Sequence, residues 1–293
     1  MNPKIGIVAS AHRPQHWMNL YESIGDNNVE FELVFVGPNP PDYELPKNFR
    51  FIKSLVKPTQ CFEIAFRNTT ADLVMPIADD CEFITPQPLD RLYDLYKSCN
   101  LDELIVTSRG MHGDMVWPLS FHCFCTNDDR TPVVGLCGLM SKKFYRELGG
   151  IDRNFIGIMW DSDIVMRVHA LGGRVVMSDV YINEDMAKGS SLCTGEFFRH
   201  DRTLLESLWT TNGKVHFNRK KPVEPFSDMN ILNASQGPRG RWRGNGPLFF
   251  EKVEDRCRLI FGYRSIFGRL NRGIRKPHMY PNYTKRIMSH FIR

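Results

Sequence analysis

Two neighbouring carboxylates end an apolar run in Leu73-Val74-Met75-Pro76-Ile77-Ala78-Asp79-Asp80-Cys81-Glu82. The run is short and uncharged before the acids, which is the pattern of a strand buried on both faces. In open α/β sheets, ligands bind outside the carboxyl ends of such strands. Carboxylates held close together repel unless a cation lies between them. Mg²⁺ and Mn²⁺ take hard oxygen ligands of this kind and bridge to a diphosphate. An ion so placed stabilises charge that builds on a departing group. The competing account is a solvated loop with capping acids.

A second acidic group, Trp160-Asp161-Ser162-Asp163, opens a stretch in which Ile164, Val165, Val168 and Leu171 share one helical face. Acids at a helix N-terminus satisfy free backbone N–H groups, so capping alone accounts for either residue taken singly.

The elements that must position these acids alternate. Ile5 to Ala9 reads as a buried strand, broken by Ser10-Ala11-His12-Arg13-Pro14, and Gln15 to Ile24 has helical spacing. Strands follow at Phe31 to Val36 and Phe51-Ile52, a helix at Cys61 to Asn68, and then the Leu73 to Ile77 strand. A helix over Leu89 to Cys99, strands at Leu104 to Thr107 and Val133 to Met140, a helix from Lys142 ended by Gly149-Gly150, and a strand at Val175 to Met177 complete the series. Such alternation predicts a parallel sheet covered by helices on both faces. Residues 111–131 are irregular and aromatic. From Arg219 the chain becomes rich in Gly and Pro, and Phe249 to Arg293 is aromatic and basic. That last part either packs on the core as amphipathic helices or leans on an acidic membrane surface or anionic acceptor.

The order of these features resembles the family-2-like, inverting glycosyltransferases of the GT-A fold over roughly the first 210 residues. The likeness rests on Ile5 to Pro14, on Ala65-Phe66-Arg67-Asn68 with Ala71-Asp72-Leu73-Val74, and on Asp79-Asp80-Cys81 in the place of that family's DxD-type acids. A second block, Gly135 to Met140, then Leu148-Gly149-Gly150-Ile151-Asp152, then Trp160 to Arg167, follows in the family's order. The resemblance implies an α/β GT-A domain over 1–218, with a nucleotide-binding half to about 110 and an acceptor half beyond it. Residues 219–293 would form a C-terminal extension.

It also implies roles. A nucleotide-sugar, by default a UDP-sugar, would lie against Ala9, Ser10, Ala11, His12 and Arg13, with Gly37 and Arg67 nearby and Asp79 close to ribose and diphosphate. Asp80 would hold Mn²⁺ or Mg²⁺, with Glu82 and His200 as further ligands. Asp161 would be the general base that takes the proton of an acceptor hydroxyl on a glycan or other molecule, with Asp163 as the fallback. Trp160 replaces the family's usual Glu and would offer a sugar-stacking face.

The pattern departs elsewhere. Val36 is followed by Gly37-Pro38-Asn39, without the acid that reads the nucleotide base, which leaves GDP and dTDP open. Arg241-Trp242 lacks the Gln of the processive signature, since Pro238 stands there, so one sugar per encounter is expected. A nucleotidyltransferase would need a glycine-rich phosphate loop that Ser10 to Pro14 lacks. A non-catalytic glycan or lipid-surface module is opposed by the intact Asp80 and Asp161.

The chain has 293 residues, 42% hydrophobic and 24% charged, which suits a globular protein with a real core. A net charge of +5 suits an anionic nucleotide and is too small to argue for nucleic acid. Eight scattered cysteines without a CxxC pair indicate free thiols in a reducing, cytoplasmic setting. No apolar run approaches ~20 residues, the length of a membrane span.

Overall fold

The computed structural model describes residues 4–112, 115–116, 137–184, 195–212 and 214–237. The chain divides into two compact units, Met1–Pro247 and Leu248–Arg293, and the second lies outside the described residues. The expected membrane or acceptor contact of the basic tail, residues 117–131 of the segment expected to be irregular, and the first residues of the strand expected at Val133 to Met140 also lie outside them.

The first half runs β1 (Ile5–Ser10), α1 (Trp17–Ile24), β2 (Phe31–Gly37), β3 (Phe49–Lys53), α2 (Pro58–Asn68), β4 (Leu73–Pro76), β5 (Cys81–Phe83) and α3 (Pro88–Cys99). The second runs β6 (Leu104–His112), β7 (Met115–Val116), β8 (Gly138–Ser141), α4 (Lys142–Glu147), α5 (Trp160–Ala170), β9 (Arg174–Glu184) and α6 (Gly195–Trp209), with a small β10–β11 hairpin (Thr210–Thr211, Lys214–Val215). The main sheet is ordered β3-β2-β1-β4-β8-β6-β9-β5, with β7 paired to β6.

The expected parallel sheet is in fact mixed. β3, β2, β1 and β4 are parallel, and so are β6 and β9, but β8 runs against both its neighbours and β5 against β9. The chain leaves β4 through a tight turn, with Cys81 N donating to Ala78 O at 3.2 Å. With no crossover helix after β4, β5 joins the sheet reversed.

The period-2 alternation of the strands builds two cores. Ile5, Ile7, Ala9, Leu33, Phe35 and Met75 pack on Trp17, Leu20 and Ile24 of α1 and Leu89 and Leu92 of α3. Val8, Val34, Val36 and Val74 face Ile64 and Phe66 of α2, Ile164 and Val168 of α5, and Leu205 and Trp209 of α6. Helices on both faces match the α/β class read from the sequence.

This topology fixes one edge. α5 turns through Leu171–Gly173 directly into β9, so it runs against the sheet's parallel strands. Its N-terminus therefore lies at the carboxyl edge of β1, β4 and β9, where Asp79 and Asp80 also stand.

Beyond the expected boundary at 218, the described part of the extension packs back on the preceding residues. Residues 219–237 lie on the first unit: Arg153 N donates to Glu224 O at 2.8 Å, Gln60 Nε2 to Ala234 O at 2.9 Å, and Gln236 N to Gln60 Oε1 at 2.9 Å. No helix among the described residues is long and apolar enough to cross a membrane. Cys61, Cys99 and Cys137 are free thiols, and burial pushes the Cys61 thiol up to about 12.

Candidate functional site

At the carboxyl end of β1 the chain turns away from the sheet through Ala11, His12 and Arg13. Ala11 N donates to Val36 O at 2.8 Å, which draws this loop across the end of β2. A Cβ on Gly37 would run into the Ala11 carbonyl oxygen, so glycine is required there by close approach rather than for flexibility.

One carboxylate organises the loop. Asp79 is 2% exposed, and its Oδ2 accepts from His12 N at 2.6 Å, Arg13 N at 2.7 Å and Trp17 Nε1 at 3.3 Å. Its Oδ1 accepts from Arg13 Nε at 3.0 Å and Nη2 at 2.6 Å. Both oxygens are thus spent on the protein's own N–H groups. The expectation that Asp79 faces ribose and diphosphate is corrected: it holds the loop that would face them.

Arg13 reaches on to Asp80, with Nη1 donating to Oδ2. Burial opposes the guanidinium charge, but Asp79 and Asp80 outweigh it and raise the Arg13 pKa. The other Asp80 oxygen, Oδ1, is buried with no hydrogen-bond partner. Burial raises the Asp80 pKa, Arg13 lowers it, and the Asp79 charge adds to the rise. His12 lies alongside, its Nε2 3.3 Å from Ser10 Oγ and its buried Nδ1 without a partner; burial depresses its pKa against the pull of Asp79, with Arg13 adding to the fall. Unpartnered polar atoms in low dielectric are costly unless a ligand satisfies them.

The three expected metal ligands do not converge. Among the described residues, no group of three His, Cys, Asp or Glu side chains is arranged to hold an ion. Glu82 lies on β5, opposite Asn183 of β9. His200 lies on α6, where its Nδ1 donates to Asp201 Oδ1 at 2.7 Å, a bond that fixes the ring's orientation. What fits a divalent ion is the single Asp80 Oδ1, since Mg²⁺-type ions are commonly held by one or two carboxylates together with substrate phosphates.

The second acidic group is built differently. Asp161 stands in the first turn of α5, partly exposed, with Oδ1 accepting from Ser162 N at 2.8 Å. Asp163 is 0% exposed and meets Arg167 Nε at 3.1 Å, Arg219 Nε at 3.0 Å and Trp209 Nε1 at 2.8 Å. So enclosed, Asp163 is an anchor and cannot reach an acceptor hydroxyl. Arg219 also donates to Asp152 Oδ2 at 2.6 Å, and Arg167 Nη2 to Gly150 O at 2.8 Å. These bonds lock the glycine turn, Asp152 and the α5 helix into one unit. Gly149 and Gly150, at φ +86° and +69°, end α4 as the sequence indicates.

Two further expectations fail on position. Trp160 is 2% exposed, its ring 4.7 Å from that of Phe62 and 6.3 Å from that of Phe66, so it fills the core and offers no face to a sugar. Arg67 sits near the end of α2, which runs back to the amino edge of the sheet, where Thr69 abuts Gly6. There it pairs with Glu63 at 2.7 Å and with Asp228, and donates to Phe226 O at 2.8 Å, which fastens the 219–237 segment far from Asp79. A cavity of about 1050 Å³ lined by Lys4, Asp72, Asp90 and Tyr93 also opens away from the acids at the carboxyl edge.

Sequence reading missed Lys57, Asp201 and Arg219. Lys57 and Asp201 are buried charges and the Arg219 side chain is largely covered, each by partners distant in the chain, and no local pattern marks them.

No protein-family model matches the chain, and no curated protein matches it by sequence. Solved structures do. S. aureus TarS aligns with a TM-score of 0.52 at 12% identity, covering 70% of this chain and 40% of that one. A structure of S. aureus TarS 1-349 aligns at 0.50 and 12%, covering 69% and 64%. GalNAc-T7, solved with UDP, GalNAc and Mn²⁺, aligns at 0.53 and 10%, covering 71% and 48%. The matches span less than two thirds of each of those chains. At these identities the likeness speaks for architecture: the chain has the fold of the GT-A glycosyltransferases.

Proposed function

We propose that the chain is an inverting glycosyltransferase that moves one sugar from a nucleoside diphosphate donor, a UDP-sugar by preference, to an acceptor hydroxyl. The observation that carries this reading is the Asp80 Oδ1 atom, buried and unpartnered beside the Arg13 guanidinium at the carboxyl edge of a GT-A sheet. A diphosphate is the ligand such a pair suits. Arg13 supplies fixed positive charge, and Asp80 would hold a divalent ion that neutralises the leaving diphosphate. GalNAc-T7, of like fold, was solved with Mn²⁺ and UDP.

The loop from Ser10 to Arg13, held rigid by Asp79, would cradle the nucleotide against Gly37. Asp161 would take the acceptor proton as the hydroxyl oxygen attacks opposite the departing nucleotide. It is the acid of the α5 first turn that retains exposure, and it lies at the same sheet edge as Asp80. Asp163 is left out of the chemistry for the reason given above. His200, oriented by Asp201, would present Nε2 to the diphosphate.

The test is a melting experiment with UDP, GDP and dTDP, with and without Mn²⁺. A ligand at a hundred times its Kd stabilises the native state by about 2.7 kcal/mol. UDP with Mn²⁺ should raise the melting temperature by several degrees, and Asp80→Asn should abolish the Mn²⁺-dependent part. No shift with any of the nucleotides would overturn the proposal.

A further inference from the structure

The segment 152–158, which delivers the chain into α5, carries its backbone polar groups in two sets, and buried side chains meet each set. On the carbonyl side, Lys57 is 0% exposed and its Nζ donates to Phe155 O at 2.8 Å and to Arg153 O. Thr59 Oγ1 donates to the same Phe155 O at 2.8 Å, and Thr59 N to Ile156 O at 3.2 Å. On the amide side, Asp201 is 0% exposed and accepts from Ile156 N at 3.0 Å, Gly157 N at 2.8 Å and Ile158 N at 2.9 Å. The next residue, Met159, enters the helix through a left-handed conformation with φ 62°. That is a strained geometry for a side chain with a Cβ, and it persists only where surrounding contacts impose it.

We propose that Lys57, Thr59 and Asp201 form a buried bracket that positions Asp161, and that Asp201 couples this position to His200. The three bracket residues are positioning residues: none is exposed to a ligand. Asp201 holds the Ile156–Ile158 amides with the same carboxylate that orients the His200 ring, so the two sides of the candidate centre share one support. The charges facing Lys57 are Asp201 of α6, Asp152, and the opposing Arg153 of the segment itself. Removing one member of such a set leaves the others buried without compensation.

The proposal rests on the reading of Asp161 as base, and the experiment separates the two. Thr59→Val keeps shape and removes one hydroxyl donor, so it should fold even where Lys57→Met does not. Amide hydrogen exchange is measured at Ile156, Gly157 and Ile158 in the full chain, alongside kcat and KM for UDP-sugar turnover. Thr59→Val should speed exchange at those three amides about tenfold, in line with loss of one hydrogen bond of ~1.4 kcal/mol, while α2 amides hold their rate. It should lower kcat several-fold with donor KM unchanged.

Unchanged exchange in both variants would overturn the bracket. Faster exchange with unchanged kcat would overturn its positioning role. A wild-type chain that binds UDP but turns over no UDP-sugar would instead overturn the assignment of Asp161, with the exchange result still deciding the bracket.

Discussion

The two halves of the candidate centre are supported in opposite ways. The donor side hangs on one carboxylate, Asp79, which gathers N–H groups from a loop that remains partly open, Arg13 being 26% exposed. The acceptor side is fixed from within by charges that see no solvent: Asp163, Asp201 and Lys57 are all 0% exposed. A loop that must admit and release a nucleotide benefits from an edge that opens. A base that must meet a hydroxyl in one geometry benefits from a rigid seat, because small misplacements cost rate. Stability and binding should therefore respond differently to mutation on the two sides.

The largest contrast is between Asp163→Ala and Asp79→Ala. Removing Asp163 strands the Arg167 and Arg219 charges in the core and should cost about 3–5 kcal/mol. Chemical denaturation reads this directly. Asp79→Ala frees an arginine that reaches water, so its stability loss should be smaller, while UDP affinity falls at least tenfold in calorimetry. Equal stability losses would erase the distinction between the two sides.

Next in size is a pH effect. Burial depresses the Lys57 pKa from 10.5 to about 7, against the pull of Asp201 and Asp152 and with Arg153 adding to the fall. Between those values the unfolded chain binds the proton that the folded chain has released. Stability contributed by this group therefore rises with pH across that window, by at most ~1.4 kcal/mol per unit, and is flat below it. Comparing unfolding of wild type and Lys57→Met from pH 6 to pH 9, the wild-type curve should climb relative to the variant above about pH 7. A parallel pair of curves would place Lys57 in contact with solvent.

The smallest effect belongs to Arg67. Arg67→Met should shift stability by about 1 kcal/mol or less, since its side chain is partly exposed, and should leave UDP affinity untouched. A tenfold loss of UDP affinity would restore it to the nucleotide site.

What was legible follows the same division. Asp79, Asp80 and the Ser10–Arg13 loop are close to strand ends, and a short apolar strand followed by acids reveals its carboxyl edge without tertiary information. The seat of Asp161 depends on Lys57, Asp201 and Arg219, which lie far away in the chain, and no local pattern marks a charge for burial. Trp160 shows the difficulty: beside two acids an indole suits a sugar face, and only its packing on Phe62 and Phe66 makes it core. β9 outran its apolar signature because Ser178 and Asp179 interrupt it near a register shift against β6, between Thr107 and Arg109. β5, at three residues, is too short for any period to declare.

The central claim is that Asp161 activates a hydroxyl against a donor held at Asp80. The most direct measurement is release of UDP from a panel of UDP-hexoses with Mn²⁺, comparing wild type with Asp161→Asn, with water or an added glycan as acceptor. The account predicts release by the wild type and a fall of about 10²–10⁴-fold in the variant at unchanged UDP affinity. Equal release by the two proteins would contradict it.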